Sequence, residues 1–217
     1  MPAVKKPAST PRKVSAQDAI LDAAESLFGQ FGPEGVSLRQ IGAAAGSSNH
    51  SAVQYHFENK EGLLKGIFTR RLDSLEKRRG ELLAQAAEAG TATDTRTLLE
   101  ILLLPIADEK DSSDCCSYAA FLLGLRMFGE IANWSTSSGP APVTRALDVH
   151  LRDSLPELPE EVFRTRLLAG VSVFLMSVVD WDRQTAKGAE PRFATREEFL
   201  KQVMDFVVAG MVAPVGD

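Results

Sequence analysis

Val36-Ser37-Leu38-Arg39-Gln40-Ile41-Gly42-Ala43-Ala44-Ala45-Gly46-Ser47-Ser48-Asn49-His50-Ser51-Ala52-Val53-Gln54-Tyr55-His56-Phe57 decides the fold of this chain. Ser37 followed by Gln40 fits a capping box, in which each side chain satisfies a free amide of the other at a helix start. Leu38, Ile41 and Ala45 fall on one face of the helix that follows. Gly46 ends it, in the left-handed conformation that other residues adopt only at a cost. Ser48 caps a second short helix, with Val53 and Phe57 facing inward. The small residues Gly42, Ala43, Ala44 and Ala45 suit a close helix crossing. The whole is a helix, a glycine turn and a helix, at helix-turn-helix lengths.

The second of these helices is too polar to be buried all round. Its outward positions Asn49, His50, Ser51 and Gln54 carry hydrogen-bonding groups suited to base edges. Tyr55 and His56 follow, where a hydroxyl or an imidazole can donate to a phosphate oxygen. Asn59 caps the next helix, and Lys60 opens it, where amides and a cation together suit a phosphate.

Upstream, Ile20, Ala23, Ala24, Leu27, Phe28 and Phe31 recur at helical spacing behind Ser15, a plausible N-cap, and the stripe stops at Gly32-Pro33-Glu34-Gly35. Downstream, Leu63, Leu64, Ile67, Phe68, Leu72 and Leu75 form the apolar side of a long helix. The spacing predicts further helices over 95–106, 117–131, 142–155, 159–181 and 195–212. No useful stretch alternates with period two, so the fold class is all-α, with about nine helices in total. The division expected is a basic flexible arm (1–14), a helix-turn-helix domain (15–65) and a larger helical domain (66–217).

The string from Ser15 to about Lys65 resembles the DNA-binding domain of the tetracycline-repressor (TetR) family of bacterial transcription regulators. The likeness is carried by Phe28, Phe31, Gly35, Ser37, Ile41, Ala45-Gly46, Tyr55-His56-Phe57 and Asn59-Lys60-Glu61-Gly62-Leu63-Leu64. Two features depart from the family pattern. One extra residue lies between Gly46 and Phe57, and Ser47 stands where an apolar residue is usual. The resemblance implies that Asn49, His50, Ser51 and Gln54 face bases. It implies that Ser37, Arg39, Tyr55 and His56 touch the DNA backbone together with Lys60, with Gln40 and Ser48 beside them. It further implies a homodimer through the helices at 159–181 and 195–212, a pseudo-palindromic operator, and a small-molecule effector that lowers DNA affinity. In a two-fold dimer the recognition helices lie about 34–36 Å apart. Phe121, Met127, Trp134, Phe174, Met176 and Trp181 are the candidates to line an effector cavity, with core packing as the alternative for each.

Composition agrees with this division. Of 217 residues, 24 are basic and 29 acidic, a net charge of −5. Residues 1–65 carry seven basic and six acidic side chains, four of the basic ones in the arm; the acidity belongs to the remainder. The adjacent Cys115 and Cys116 exclude a disulfide framework and suit a reducing compartment. The apolar run 167–179 is short for a bilayer span, and no secretory signal is visible, so a cytoplasmic protein without a membrane partner is expected. Gly-x-Ser-x-Gly, phosphate-loop and histidine–carboxylate zinc motifs are absent from the sequence, which gives no cofactor, no metal and no enzyme. The acidic stretch 108–114 lacks the spacing of a calcium loop. The reading that competes is a helical small-molecule-binding or scaffolding module without sequence-specific DNA binding.

Overall fold

The computed structural model describes residues 15–46, 52–111, 115–127, 141–190 and 192–216. The described residues form nine helices and no strand: α1 (Ala16–Phe31), α2 (Leu38–Ala44), α3 (Ala52–Phe57), α4 (Lys60–Glu88), α5 (Thr95–Asp108), α6 (Ser117–Met127), α7 (Pro142–Asp153), α8 (Glu160–Ala186) and α9 (Arg196–Val212).

Helix starts follow local side-chain chemistry. Ser15, Ser37, Asn59, Asp94 and Thr195 each accept a hydrogen bond from an amide three residues on. The α7 N-terminus has no cap of its own. Glu76 of α4 caps it from across the fold, accepting from the amides of Val143 (2.7 Å) and Thr144 (3.0 Å) and from the Thr144 hydroxyl.

One apolar core runs through all nine helices. The closest joint is between α1 and α6, where two glycines permit contact of backbone on backbone. A Cβ on Gly29 would lie 2.9 Å from the Ala120 carbonyl carbon, and one on Gly124 would lie 2.7 Å from the Phe28 oxygen. The 65/66 boundary expected from sequence falls within α4, which continues unbroken to Glu88.

Several details differ from the sequence pattern. Phe31, assigned to the α1 stripe, is 54% exposed; the buried acid Glu25 takes a place on that face instead. Ala43 and Ala44 face outward, and only Gly42 is buried at the crossing, where its Cβ would lie 3.4 Å from Val53. Helix α8 spans 27 residues rather than the apolar run alone, because polar residues continue it at both ends. It is long and apolar enough by length and composition to cross a membrane. Here it packs on α6 and α9 through Phe174, Leu175, Val178 and Val179. It is covered on one side only, since Leu168 and Met176 remain exposed.

Candidate nucleic-acid interface

Helix α2 is fixed at its start by the reciprocal box. The Gln40 amide donates to Ser37 Oγ (3.3 Å), and the Ser37 amide donates to Gln40 Oε1 (2.8 Å). Both side chains are thereby committed to α2 while remaining at the surface. Arg39, between them, is exposed. Gly46 closes α2 with φ +70° and open space around it. The chain must turn left-handed at this point, and only backbone preference selects glycine there.

Helix α3 is short, and two side chains hold it. Val53 and Phe57 are buried, which turns Gln54, Tyr55 and His56 outward. Tyr55 is 85% exposed and meets His56 edge-on, with ring centroids 5.1 Å apart. An exposed aromatic phenol beside an exposed imidazole is costly in apolar area and useful as a pair of donors. Ser48, Asn49, His50 and Ser51 lie outside the described residues.

The joint from α3 to α4 is tight. Glu58 takes φ +61°, and its amide donates to the Gln54 carbonyl (2.9 Å). Asn59 Oδ1 then accepts from the Gly62 amide (2.9 Å). A Cβ at Gly62 would fall 2.0 Å from the Phe57 oxygen, so no larger residue fits without moving α3. Lys60 is half-buried, and its ammonium donates to the Pro33 carbonyl (2.8 Å). This ties the α1–α2 turn to the start of α4 with one of the three donors of that ammonium.

A charge network that the sequence pattern did not mark joins α1 to α4. Glu25 is 1% exposed. It accepts from Arg71 Nη2 (2.7 Å) and Nε (3.1 Å), from Arg70 Nη2 (2.9 Å) and from the Ser117 hydroxyl. Arg71 also donates to Glu109 (2.9 Å), and Arg70 to Asp22 (2.7 Å). Burial alone would raise the Glu25 carboxyl. Hydrogen bonds and charge from Arg71, the Ser117 hydroxyl and the charge of Arg70 outweigh it and hold the group below the usual carboxylate range. The network joins α1, α4 and α6.

Residues 20–67 match the family model for bacterial regulatory proteins of the tetR family. The helix-turn-helix region is a tetR-family domain. A curated relative, "Probable HTH-type transcriptional regulator YttP" of Bacillus subtilis (strain 168), is 30% identical over 90 residues, and the chain spans 42% of that protein's length. Among solved structures, AibR in complex with isovaleryl coenzyme A and operator DNA is 19% identical, with a TM-score of 0.43 over 93% of this chain and 100% of that one. PfmR, a TetR family transcriptional regulator from Thermus thermophilus, is 21% identical, with a TM-score of 0.38 over 88% of this chain and 98% of that one. The tetR-family match takes in the first eight residues of α4 and includes every described surface residue of α2 and α3.

Beyond the tetR-family region, the described candidate cavity residues fall in different surroundings. Phe121 is fully buried among Phe28, Phe68 and Tyr118, with centroids 5.4–6.5 Å away. Phe174 is also fully buried. Met127 and Met176 are exposed, and Trp134 lies outside the described residues. Trp181 lines a cavity of about 190 Å³, where it stacks on Phe199 at 4.6 Å beside Phe193 and Arg192. A larger cleft of about 460 Å³ lies between α1, α6 and α8, bordered by Ser26, Cys115, Cys116 and Asp182. Cys116 is buried, and its thiol donates to the Ala107 carbonyl (3.1 Å). Burial, with the charge of Asp182, pushes that thiol up to about 12, so it stays protonated at neutral pH. Among the described residues no group of three or more His, Cys, Asp or Glu is placed to hold a metal.

Proposed function

We propose that this chain is a DNA-binding transcription regulator, a ligand-responsive repressor that binds a pseudo-palindromic operator as a homodimer in the cytoplasm. The observation that carries the reading is the seating of α3. Val53 and Phe57 lock it onto its neighbours and leave Gln54, Tyr55 and His56 free, within a segment that matches the tetR-family model. In this reading the face continues through Asn49, His50 and Ser51 into the major groove, with Ser48 at its start. Ser37, Arg39 and Gln40 lie along the flanking backbone, and Lys60 offers its remaining donors to a phosphate. The acidic helical remainder acts as the effector-binding and dimerising body and performs no catalysis.

Dimerisation through α8 and α9 is supported by the apolar surface they leave open. Leu168 and Met176 on α8, with Phe206 and Val212 on α9, are exposed in the single chain. A second copy related by two-fold symmetry would cover the same patch on both partners. The test is a titration with duplex DNA from upstream of the protein's own gene against a scrambled duplex of equal length. Preference for the native duplex supports the reading. Equal weak binding to both defeats it.

A further inference from the structure

Three aromatic rings line the cavity of about 190 Å³ between α8 and α9. Trp181 comes from α8, Phe193 from the connection and Phe199 from near the start of α9. Trp181 stacks on Phe199 with the two planes 24° apart. Phe193 closes on Phe199 at 5.8 Å, tilted by 54°. All three are half-buried, so each leaves ring surface open at a concave site. Two charges of opposite sign line the same cavity. Asp180 directly precedes Trp181, and Arg192 directly precedes Phe193. Both are exposed, and among the described residues neither makes an ion pair or a side-chain hydrogen bond, with the other or with any third group. Arg96, Arg152 and Arg164 of the same helical body each pair with a carboxylate. The aromatic floor thus carries one uncommitted cation and one uncommitted anion at its edge.

We propose that this cavity binds an α-amino acid whose side chain is a single aromatic ring. A dry cavity of about 150 Å³ takes one benzene ring, and this one is slightly larger. The ring of the ligand packs on the aromatic floor in offset or edge-on contact. Its carboxylate meets the Arg192 guanidinium, whose planar fork matches two oxygens. Its ammonium meets the Asp180 carboxylate. A ligand with one charge alone would leave one of the two side chains unmatched, whereas a zwitterion answers both. The proposal rests on the reading of the C-terminal helices as an effector-binding body and gives the effector a chemical class. A neighbouring groove shares Ser177, Phe193 and Phe199 with the cavity and runs on to Phe206. An occupant therefore bears on the α8–α9 surface offered to a second copy.

The experiment uses the full chain, titrated by calorimetry with L-phenylalanine and with three probes that each lack one feature. 3-Phenylpropanoate lacks the ammonium, 2-phenylethylamine lacks the carboxylate, and L-alanine lacks the ring. Phenylalanine should bind about tenfold or more tighter than either singly charged probe, the worth of one charge-assisted hydrogen bond. It should also bind tighter than alanine. The emission of Trp181, read in a Trp134→Phe chain, should change with phenylalanine and not with alanine. Arg192→Gln should erase the preference for phenylalanine over 2-phenylethylamine, and Asp180→Asn the preference over 3-phenylpropanoate. Both side chains are exposed, so both variants should keep the wild-type melting temperature. No binding of phenylalanine, equal affinity for phenylalanine and alanine, or preferences that survive Arg192→Gln and Asp180→Asn would each overturn the proposal. The expected pattern in a chain without operator preference would still support the site and would count against the DNA-binding reading alone.

Discussion

Arg71 lays two donors, Nη2 at 2.7 Å and Nε at 3.1 Å, on the buried carboxylate of Glu25, and so ties α4 to α1 through a side-chain pair 46 residues apart. The same carboxylate takes a hydroxyl from Ser117 at the start of α6. Opposite charges in a buried, hydrogen-bonded arrangement contribute little relative to apolar packing, but removing one member strands the rest. Glu25→Gln should therefore lower unfolding free energy by about 3 kcal/mol at pH 7. The Glu25 pKa is lower in the folded protein than in the unfolded chain. Its contribution is thus fully present above the unfolded carboxylate range, about pH 4.3, and is lost as pH falls through the lowered folded value. Denaturant unfolding of both proteins from pH 7 down to pH 3 should show the gap between them narrowing. A constant gap would mean that ionised Glu25 does not stabilise the fold.

The α1–α6 joint gives a second prediction. Alanine is the better helix former, by roughly 1 kcal/mol over glycine. At Gly124, however, its Cβ would lie 2.7 Å from the Phe28 backbone oxygen, which cannot rotate away. Gly124→Ala should destabilise by about 1–3 kcal/mol, as overpacking does. Gly80→Ala is the matched control, because its Cβ would meet only a Val143 methyl at 3.7 Å. That change should stabilise by about 0.5–1 kcal/mol. Thermal midpoints that move together, in either direction, would contradict the close joint.

What the sequence made legible was whatever depends on neighbours in the chain. Ser37 with Gln40, Asn59 before Gly62 and Gly46 at its turn all act within four residues, and the structure bears each out. The apolar spacing of α4 and α9 likewise predicts which side of each helix is buried. It does not say which helix that side meets. The aromatic candidates for a cavity scatter for this reason: Phe121 faces Phe28 and Phe68, while Trp181 faces Phe199. Glu25 and Arg79 were illegible because their partners lie 23 to 92 residues away and on other helices. Charged residues are ordinarily solvated, so nothing local marked these two as buried.

Glu58 occupies a left-handed backbone position, φ +61°, at the α3–α4 joint. A side chain there costs roughly 1–2 kcal/mol, of which a glycine would return part as greater freedom when unfolded. Glu58→Gly should raise stability by about 0.5–1 kcal/mol. The readout is the thermal midpoint against wild type. A fall would show that the Glu58 side chain contributes more than its backbone costs.

Phe206 projects from α9 with 67% of its surface exposed, on the patch proposed to form the dimer. Phe206→Asp should leave the monomer fold intact, since little of the ring is buried, while placing a charge within the proposed two-fold contact. Sedimentation velocity should report a dimer for wild type and a monomer for the variant, with unchanged helical circular dichroism. A variant that remains dimeric would assign the interface to another face.

Lys60 distinguishes a strut from a contact. Its ammonium donates to the Pro33 carbonyl at 2.8 Å, which spends one donor on holding the turn before α2. The other donors are available to a phosphate at the amino end of α4. If Lys60 serves both purposes, Lys60→Ala should lower the thermal midpoint slightly. It should also flatten the dependence of log operator affinity on log salt by about one unit per protomer, because each neutralised phosphate releases about one counterion. The loss should be similar on operator and scrambled duplex, since a phosphate carries no base identity. A lowered midpoint with an unchanged salt slope would reduce Lys60 to the strut that ties Pro33 to α4, and would move the phosphate contact to Arg39 or to the Tyr55–His56 pair.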